Sequence, residues 1–499
     1  MRFPNGNNRL NRSSRNILHT ETRSAAAIPA LSSWSLSATN ADAQNRLVSQ
    51  RGFEQNPDFL ESAKGVALWI ENAAQRRDKR RVYSLPELGH KERATTVAAP
   101  NAIYSASAET VLFFIQLANA TGQMKYLQTA SLGADYLVAT WRELVDKPGN
   151  GLFSDRCLNL SLYGGLAGVA FVLNETGKAT GKEKYREAAR TATDYIVRAA
   201  KTAGSGLAWS DAPGIAGDGG IVLYLLYAAR EFGTALYCIT AERAGDHILE
   251  LATNERHGGF SWSGFPAFPG LPKDTYLPAF EDGTAGIVYV FARLYSETNK
   301  ARFLFAANQG ASHLQSVATV GSKAELISHP LSDLSDLHYA GFCHGPAGTA
   351  RAFFELYKIT REPDYQMWAE RLAQKVRQSD VPGSLTPGYW NVVCQCCGSA
   401  AVIDLFVEMW AFTGRRNYLA AAQRAARTLV NHETNSDGKR TRTVQTWARV
   451  NPREASTATY SFVGASGVAS ALLHIHLAEQ GKYGAILLPE NRFANIRWA

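Results

Sequence analysis

The 499-residue sequence predicts an all-α fold, an (α/α) toroid of about seven inner and seven outer helices. Three observations predict it. A Gly-x-x-Gly opening recurs at Gly165/Gly168, Gly217/Gly220, Gly283/Gly286, Gly345/Gly348 and Gly464/Gly467. Each opening leads into a run that is apolar on every side, as a fully buried helix is. After a short turn comes an amphipathic helix that starts near a tyrosine. Self-similarity of this kind marks a repeat architecture. An open solenoid needs polar capping repeats, and the sequence shows none, so closure into a ring is expected.

The clearest copy opens at Gly165-Leu166-Ala167-Gly168, continues through Val169 to Leu173, turns at Thr176-Gly177 and resumes at Tyr185. In its second helix Tyr185, Ala188, Ala189, Ala192, Tyr195, Ile196 and Ala199 share one face and Arg186, Glu187, Arg190 and Asp194 the other, a period of 3.6. Gly398 with Ala401 gives a sixth opening. A degenerate seventh copy spans Tyr104 to Gly122, with Ser107 and Glu109 in place of the glycines. Tyr126–Ala139, Tyr365–Val376 and Tyr418–Val430 repeat the amphipathic face, and Phe59–Ala73 reads as the outer helix ahead of the first inner one. The glycines are expected where inner helices converge, for close backbone approach and unusual φ. The residues ahead of each glycine pair then share one end of the ring, its mouth. Two long insertions, His257–Asp282 and Asn431–Tyr460, are expected to overhang it.

Composition bounds the rest. Residues 1–56 are rich in Asn, Ser and Arg without periodicity and are expected to be a disordered arm, leaving 57–499 as the toroid. The longest apolar run, Ile221–Ala229, is far short of the ~20 residues that span a bilayer. The formal charge of +8 is mild for this length and forms no basic stripe interleaved with aromatics, which argues against a nucleic-acid partner. Six cysteines, four of them in two motifs, suit metal ligation in a reducing compartment better than a disulfide framework, giving a cytoplasmic expectation. The apolar stretch Ala25–Ala38 followed by Ala41-Asp42-Ala43 is a weak signal-like feature that leaves secretion open.

The chemistry concentrates ahead of two openings. Cys343 lies two residues before Gly345, and Cys396 and Cys397 lie two and one before Gly398. A ring brings those positions side by side. Three thiolates with an open fourth position is the ligand logic of a catalytic zinc site, and thiolates select against magnesium and calcium. Cys157, Cys238 and Cys394 lack this register and read as ordinary buried cysteines. His344, directly after Cys343, is expected to face substrate or to support a ligand. Among acids in the mouth register, Asp282, one residue before Gly283, is the leading general acid or base, and Asp211 near Gly217 the second. Capping of a helix start is the competing role for each.

The Cys343-His344-Gly345 and Cys396-Cys397-Gly398 motifs, with the glycine repeats, resemble the lanthionine synthetase C-like family over roughly residues 57–480. The resemblance implies a toroid with Zn2+ at its mouth. It also implies addition of a peptide cysteine thiol to dehydroalanine or dehydrobutyrine, forming thioether (lanthionine) rings. The family commonly uses two cysteines and a histidine, so Cys397 in the histidine position resembles the three-cysteine variant of some lanthipeptide synthetases. Asp282 stands where the family's active-site histidine would be, and Asp211 is nearest to its usual aspartate. The expected partners are a precursor peptide with dehydrated residues and a separate dehydratase, since no such segment precedes the toroid. The alternative is a catalytically impaired zinc protein that binds or presents peptide, or adds glutathione-type thiols.

Overall fold

The computed structural model describes residues 58–77, 80–82, 107–146, 158–210, 212–256, 258–263, 276–318, 330–331, 334–338, 340–379, 393–431, 446–447, 455–456 and 464–490. The chain divides into residues 1–56 and residues 57–499. The disordered-arm expectation for the first, and most of the two overhanging insertions, lie outside the described residues.

The second unit is an (α/α) toroid. Among the described residues its seven inner helices are α2 (Ser107–Thr121), α4 (Leu166–Thr180), α6 (Asp218–Phe232), α8 (Thr284–Thr298), α10 (Pro346–Thr360), α12 (Ser399–Thr413) and α14 (Ala465–Glu479). Each has 15 residues, about 22 Å at the α-helical rise of ~1.5 Å per residue. The outer helices are α1 (Phe59–Ala73), α3 (Met124–Asp146), α5 (Glu183–Ala199), α7 (Ala235–Glu250), α9 (Ala301–Ala318), α11 (Pro363–Gln378) and α13 (Arg416–Asn431). Six outer helices pack against the inner helix that precedes them. The seventh pair joins the two ends of the toroid's chain: α1 packs on α14, and α14 packs on α2 to close the ring.

Sequence explains the turns between paired helices. Thr121, Thr180, Thr298, Thr360 and Thr413 each end an inner helix and donate their hydroxyl to the carbonyl four residues back, at 2.6–2.8 Å. Each hydroxyl also accepts the backbone N–H two residues on, at 3.1–3.4 Å. The residue after the threonine takes the left-handed conformation as Gly122, Gly181, Asn299, Arg361 and Gly414. The turn expected at Thr176-Gly177 is therefore displaced by one helical turn to Thr180-Gly181, and Gly177 is helical. The tyrosines that open outer helices tie each one to its predecessor: Tyr185 to Asp135 at 2.8 Å, Tyr237 to Asp194 at 2.6 Å and Tyr365 to Asn308 at 2.9 Å.

The opening glycines serve close approach and not unusual φ. Six inner helices start after a glycine with φ between −116° and −147°. The second glycine is the constrained one. A Cβ on Gly348 would lie 2.0 Å from the Phe342 carbonyl oxygen and 2.5 Å from Phe280 Cβ. Gly286 meets the Phe280 carbonyl in the same way, at 1.9 Å. Gly348→Ala is expected to lower stability by about 1–3 kcal/mol, the usual cost of forcing an extra carbon into a packed core. The shift of the denaturant midpoint measures it.

The inner helices are less uniformly apolar than their sequence suggests, and several of their polar side chains pair between inner helices. Asn174 on α4 donates to Tyr227 on α6 at 2.6 Å. Arg293 on α8 meets Glu355 on α10 at 3.0 Å, and Arg351 on α10 meets Glu408 on α12 at 3.2 Å. His474 on α14 lies between Asp404 on α12, at 2.7 Å, and Gln116 on α2, at 3.0 Å. Burial opposes ionisation of Glu355, but Lys358 and Arg293 outweigh it and hold its carboxyl at about 2.

Three features have no counterpart in the sequence reading. Two-stranded antiparallel hairpins sit on five of the connections leading to inner helices: β1 (Gln75–Arg77) with β2 (Arg80–Val82), β3 (Lys201–Ala203) with β4 (Gly206–Ala208), β5 (Thr253–Asn254) with β6 (Phe260–Ser261), β7 (Pro330–Leu331) with β8 (Leu334–His338), and β9 (Thr446–Trp447) with β10 (Ala455–Ser456). Trp209 and Trp262, just past two of them, donate their indole N–H to the carbonyls of Ile196 and Ile248 near the ends of α5 and α7. Trp262 and Phe280, expected in an overhanging loop, are thus core residues. Finally, the segment after α14 turns back into the ring, where Ile486, Leu488 and Glu490 are buried. Leu487 N–H donates to Gln116 Oε1 at 2.9 Å, and Tyr289 donates its hydroxyl to the Glu490 carbonyl at 3.1 Å.

Candidate metal centre

The loops opening α8, α10 and α12 follow one another as a staircase of backbone hydrogen bonds. Phe280 and Glu281 N–H both donate to the Cys343 carbonyl at 3.0 Å, and Phe342 and Cys343 N–H donate to the Cys396 carbonyl at 2.7 and 3.2 Å. Close packing enforces the stair: a Cβ on Gly341 would lie 2.2 Å from the Cys397 carbonyl carbon. Two rows of equivalent positions result. Glu281, Cys343 and Cys396 each stand two residues ahead of the opening glycine, and Asp282, His344 and Cys397 each stand one ahead.

Cys343, Cys396 and Cys397 converge. Cys343 Sγ is 3.2 Å from Cys397 Sγ, which is 3.4 Å from Cys396 Sγ. The three thiols lie within 4.8 Å of one another and are buried, so they form a donor set able to hold a metal ion. A tetrahedral zinc with bonds of about 2.3 Å sets its sulfurs roughly 3.8 Å apart, a few tenths of an ångström of expansion from this arrangement. Burial pushes the Cys343 and Cys396 thiols well above their ordinary range, which favours the neutral form until a cation compensates.

Cys394 is not in the converging set. It accepts the Cys397 N–H at 3.3 Å and so shapes the loop that presents Cys397. Gln395, between the cysteines, donates to Asp404 Oδ2 at 2.7 Å, and Asp404 is the partner of His474. The cysteine loop is thereby anchored to the buried polar network that closes the ring.

The acids separate clearly. Asp282 is buried, its Oδ1 is 3.6 Å from His344 Nδ1, and that oxygen makes no hydrogen bond. Burial raises its carboxyl from the usual aspartate range to about 7. Asp211 lies outside the described residues. Asp218, also near Gly217, uses its carboxylate to accept from Trp209 N, Ser210 N and the Ser210 hydroxyl at 2.7–3.1 Å, a loop-capping role. His344 is 2% exposed and adjoins Asp282. Glu281 is not among the residues singled out above, although its position two residues ahead of Gly283 is the register of the cysteines and is the signal for it. Its Oε2 is 4.0 Å from Cys396 Sγ, and it forms a second possible metal-binding group with Cys343 and His344. Cys157 lies outside the described residues, and Cys238 is half-buried on α7, away from the cluster.

No helix among the described residues is long and apolar enough to cross a membrane. Known proteins place the chain. Nisin cyclase superposes over 87% of this chain and 98% of its own, with a TM-score of 0.57 at 14% identity. The Lin0763 protein of Listeria innocua covers 86% of this chain and 99% of its own at TM-score 0.44 and 14% identity. An alpha-1,6-mannanase variant of Salegentibacter sp. covers 85% and 99% at TM-score 0.42 and 12% identity. None of the curated protein sequences matches. The fold is that of nisin cyclase, and residues 156–391 match the family model described as lanthionine synthetase C-like protein. The fold and that match, which ends ahead of Cys396, agree with the resemblance read from the motifs of the sequence.

Proposed function

We propose that the protein is a cyclase-like enzyme that adds cysteine thiols of a peptide to dehydroalanine or dehydrobutyrine residues, forming thioether rings, with Zn2+ held by Cys343, Cys396 and Cys397. The observation that carries this reading is the convergence of three buried thiols from two neighbouring repeats. Likeness to nisin cyclase and the family match support the choice of reaction. The dehydration that prepares the substrate belongs to a separate partner.

A bound zinc ion lowers the pKa of a substrate thiol that reaches it, so that the thiol attacks as thiolate near neutral pH. The chain's own groups do the rest. In the addition, a carbon–sulfur bond forms at the substrate β-carbon, the carbon–carbon double bond opens, and a proton is delivered to the α-carbon. Asp282 is the candidate donor, since it is a buried carboxyl in the row beside the thiols. His344 Nδ1 lies 3.6 Å from its Oδ1 and adds a second titratable group beside it. Asp211 remains a second candidate by its place ahead of Gly217.

Mixing the purified protein with a dehydrated, cysteine-containing peptide tests the reading. Free thiols are expected to disappear at constant peptide mass. Asp282→Asn should slow that loss by about 10²–10⁴-fold, the usual share of a general acid, with metal content unchanged. Retained thiols across several such peptides, with peptide still bound, would replace the enzymatic reading by one of a peptide-presenting protein.

A further inference from the structure

Glu281 holds the same position ahead of α8 as Cys343 holds ahead of α10 and Cys396 ahead of α12. The backbone stair that sets Cys343 against Cys396 also sets Glu281 against Cys343, through hydrogen bonds of 3.0 Å from Phe280 and Glu281 N–H to the Cys343 carbonyl. Three consecutive loops thus offer three metal-ligating side chains in a row: a carboxylate, a thiol and a thiol. Glu281 Oε2 is 4.0 Å from Cys396 Sγ, and its carboxylate lies within 4.8 Å of donor atoms of Cys343 and His344. We propose that Glu281 is the fourth protein ligand of the cation held by Cys343, Cys396 and Cys397, closing the site until a substrate thiol displaces it. This rests on the reading of the three cysteines as a metal site.

The chemistry favours a ligand that can leave. Zinc accepts carboxylate oxygen as well as thiolate and imidazole. With three soft thiolates in place, the hard carboxylate is the member of the set most easily exchanged for another thiol. Glu281 is only half-buried, whereas the three cysteines and His344 are fully buried, so its side chain has room to withdraw. His344 is the rival for the position, but its ring also adjoins Asp282. With a cation bound, the exchange would release the carboxylate and take up the incoming thiol as thiolate, its proton passing to solvent.

Cobalt(II) substitution of the full-length protein tests the assignment. Its visible absorption reports coordination, and its sulfur-to-metal charge-transfer band reports the number of thiolates. Glu281→Ala should change the ligand-field envelope, leave the charge-transfer intensity intact and weaken zinc binding by at least about 10–100-fold, the loss that an outer-shell partner already causes. Glu281→Gln, which keeps the shape of the side chain, should give an intermediate spectrum and an unchanged melting curve. Spectra of both variants that superimpose on the parent's, with equal zinc affinity, would overturn the assignment. If Cys343→Ala nevertheless loses charge-transfer intensity, the cysteine site stands and only the role of Glu281 falls. A parent protein that takes up no cobalt overturns both.

Discussion

The parent protein is expected to purify with stoichiometric zinc and Cys396→Ala protein without it. Each of the three thiols is buried and within 4.8 Å of the other two, so removing one leaves two thiolates to hold the cation. Losing an outer-shell partner of a metal site already costs roughly 10–100-fold in affinity, and losing a direct ligand should cost more. Metal analysis of the purified proteins reads the loss. Chelation of the parent should lower its melting temperature, because the loops of α10 and α12 would then be held at this point by backbone bonds alone. The pH dependence has a definite sign. Burial pushes the Cys343 and Cys396 thiols up, so loading must displace protons, and zinc affinity should rise with pH. A parent free of zinc at every pH would remove the basis of the proposed reaction.

The arrangement of the toroid was legible because its repeat is written in residue types. Buried helices announce themselves by lacking a polar face, and the second glycine of each opening reports a steric fact, the carbonyl that Gly348 and Gly286 must pass. The cysteine site was legible for the same reason, since register alone pairs Cys343 with Cys396. Other features were not. Thr176-Gly177 and Thr180-Gly181 look alike in sequence, and only the end of a 15-residue helix at Thr180 tells them apart. Glu281 was hidden beside Asp282, because a carboxylate ahead of a helix reads equally as a cap, a proton donor or a metal-binding group. The pairing of α1 with α14 requires contact between the toroid's first and last helices, which no local pattern encodes. The buried Arg351–Glu408 and Asp404–His474 pairs interrupt apolar runs, and sequence does not say which partner each will find.

Ending the chain after Lys482 should cost at least about 6 kcal/mol or prevent folding, although it touches none of the predicted site residues. Residues 483–490 follow the last inner helix in sequence, yet they pack inside the ring. Ile486 and Leu488 are each 5% exposed, and burying side chains of that size contributes roughly 1.5–3 kcal/mol apiece. Leu487 N–H supplies a hydrogen bond to Gln116, which also meets His474. Glu490 accepts from Tyr163, at the opening of α4, through its carboxylate and from Tyr289, on α8, through its backbone carbonyl. A few residues therefore bridge helices that the ring order keeps apart, and their loss leaves buried polar groups without partners at about 1–3 kcal/mol each. Glu490→Gln separates the two contributions. It keeps the packing and the Tyr289 bond and should cost far less than the truncation, about 1–2 kcal/mol, because only the bond from Tyr163 to the carboxyl is weakened. Denaturant unfolding of the three proteins measures the ordering. Equal stability of the parent and the truncated chain would mean that the segment contributes nothing to closing the ring. The expected ordering makes residues 483–490 part of the toroid's core, and ties the cysteine loop, through Gln395, Asp404, His474 and Gln116, to the same buried segment.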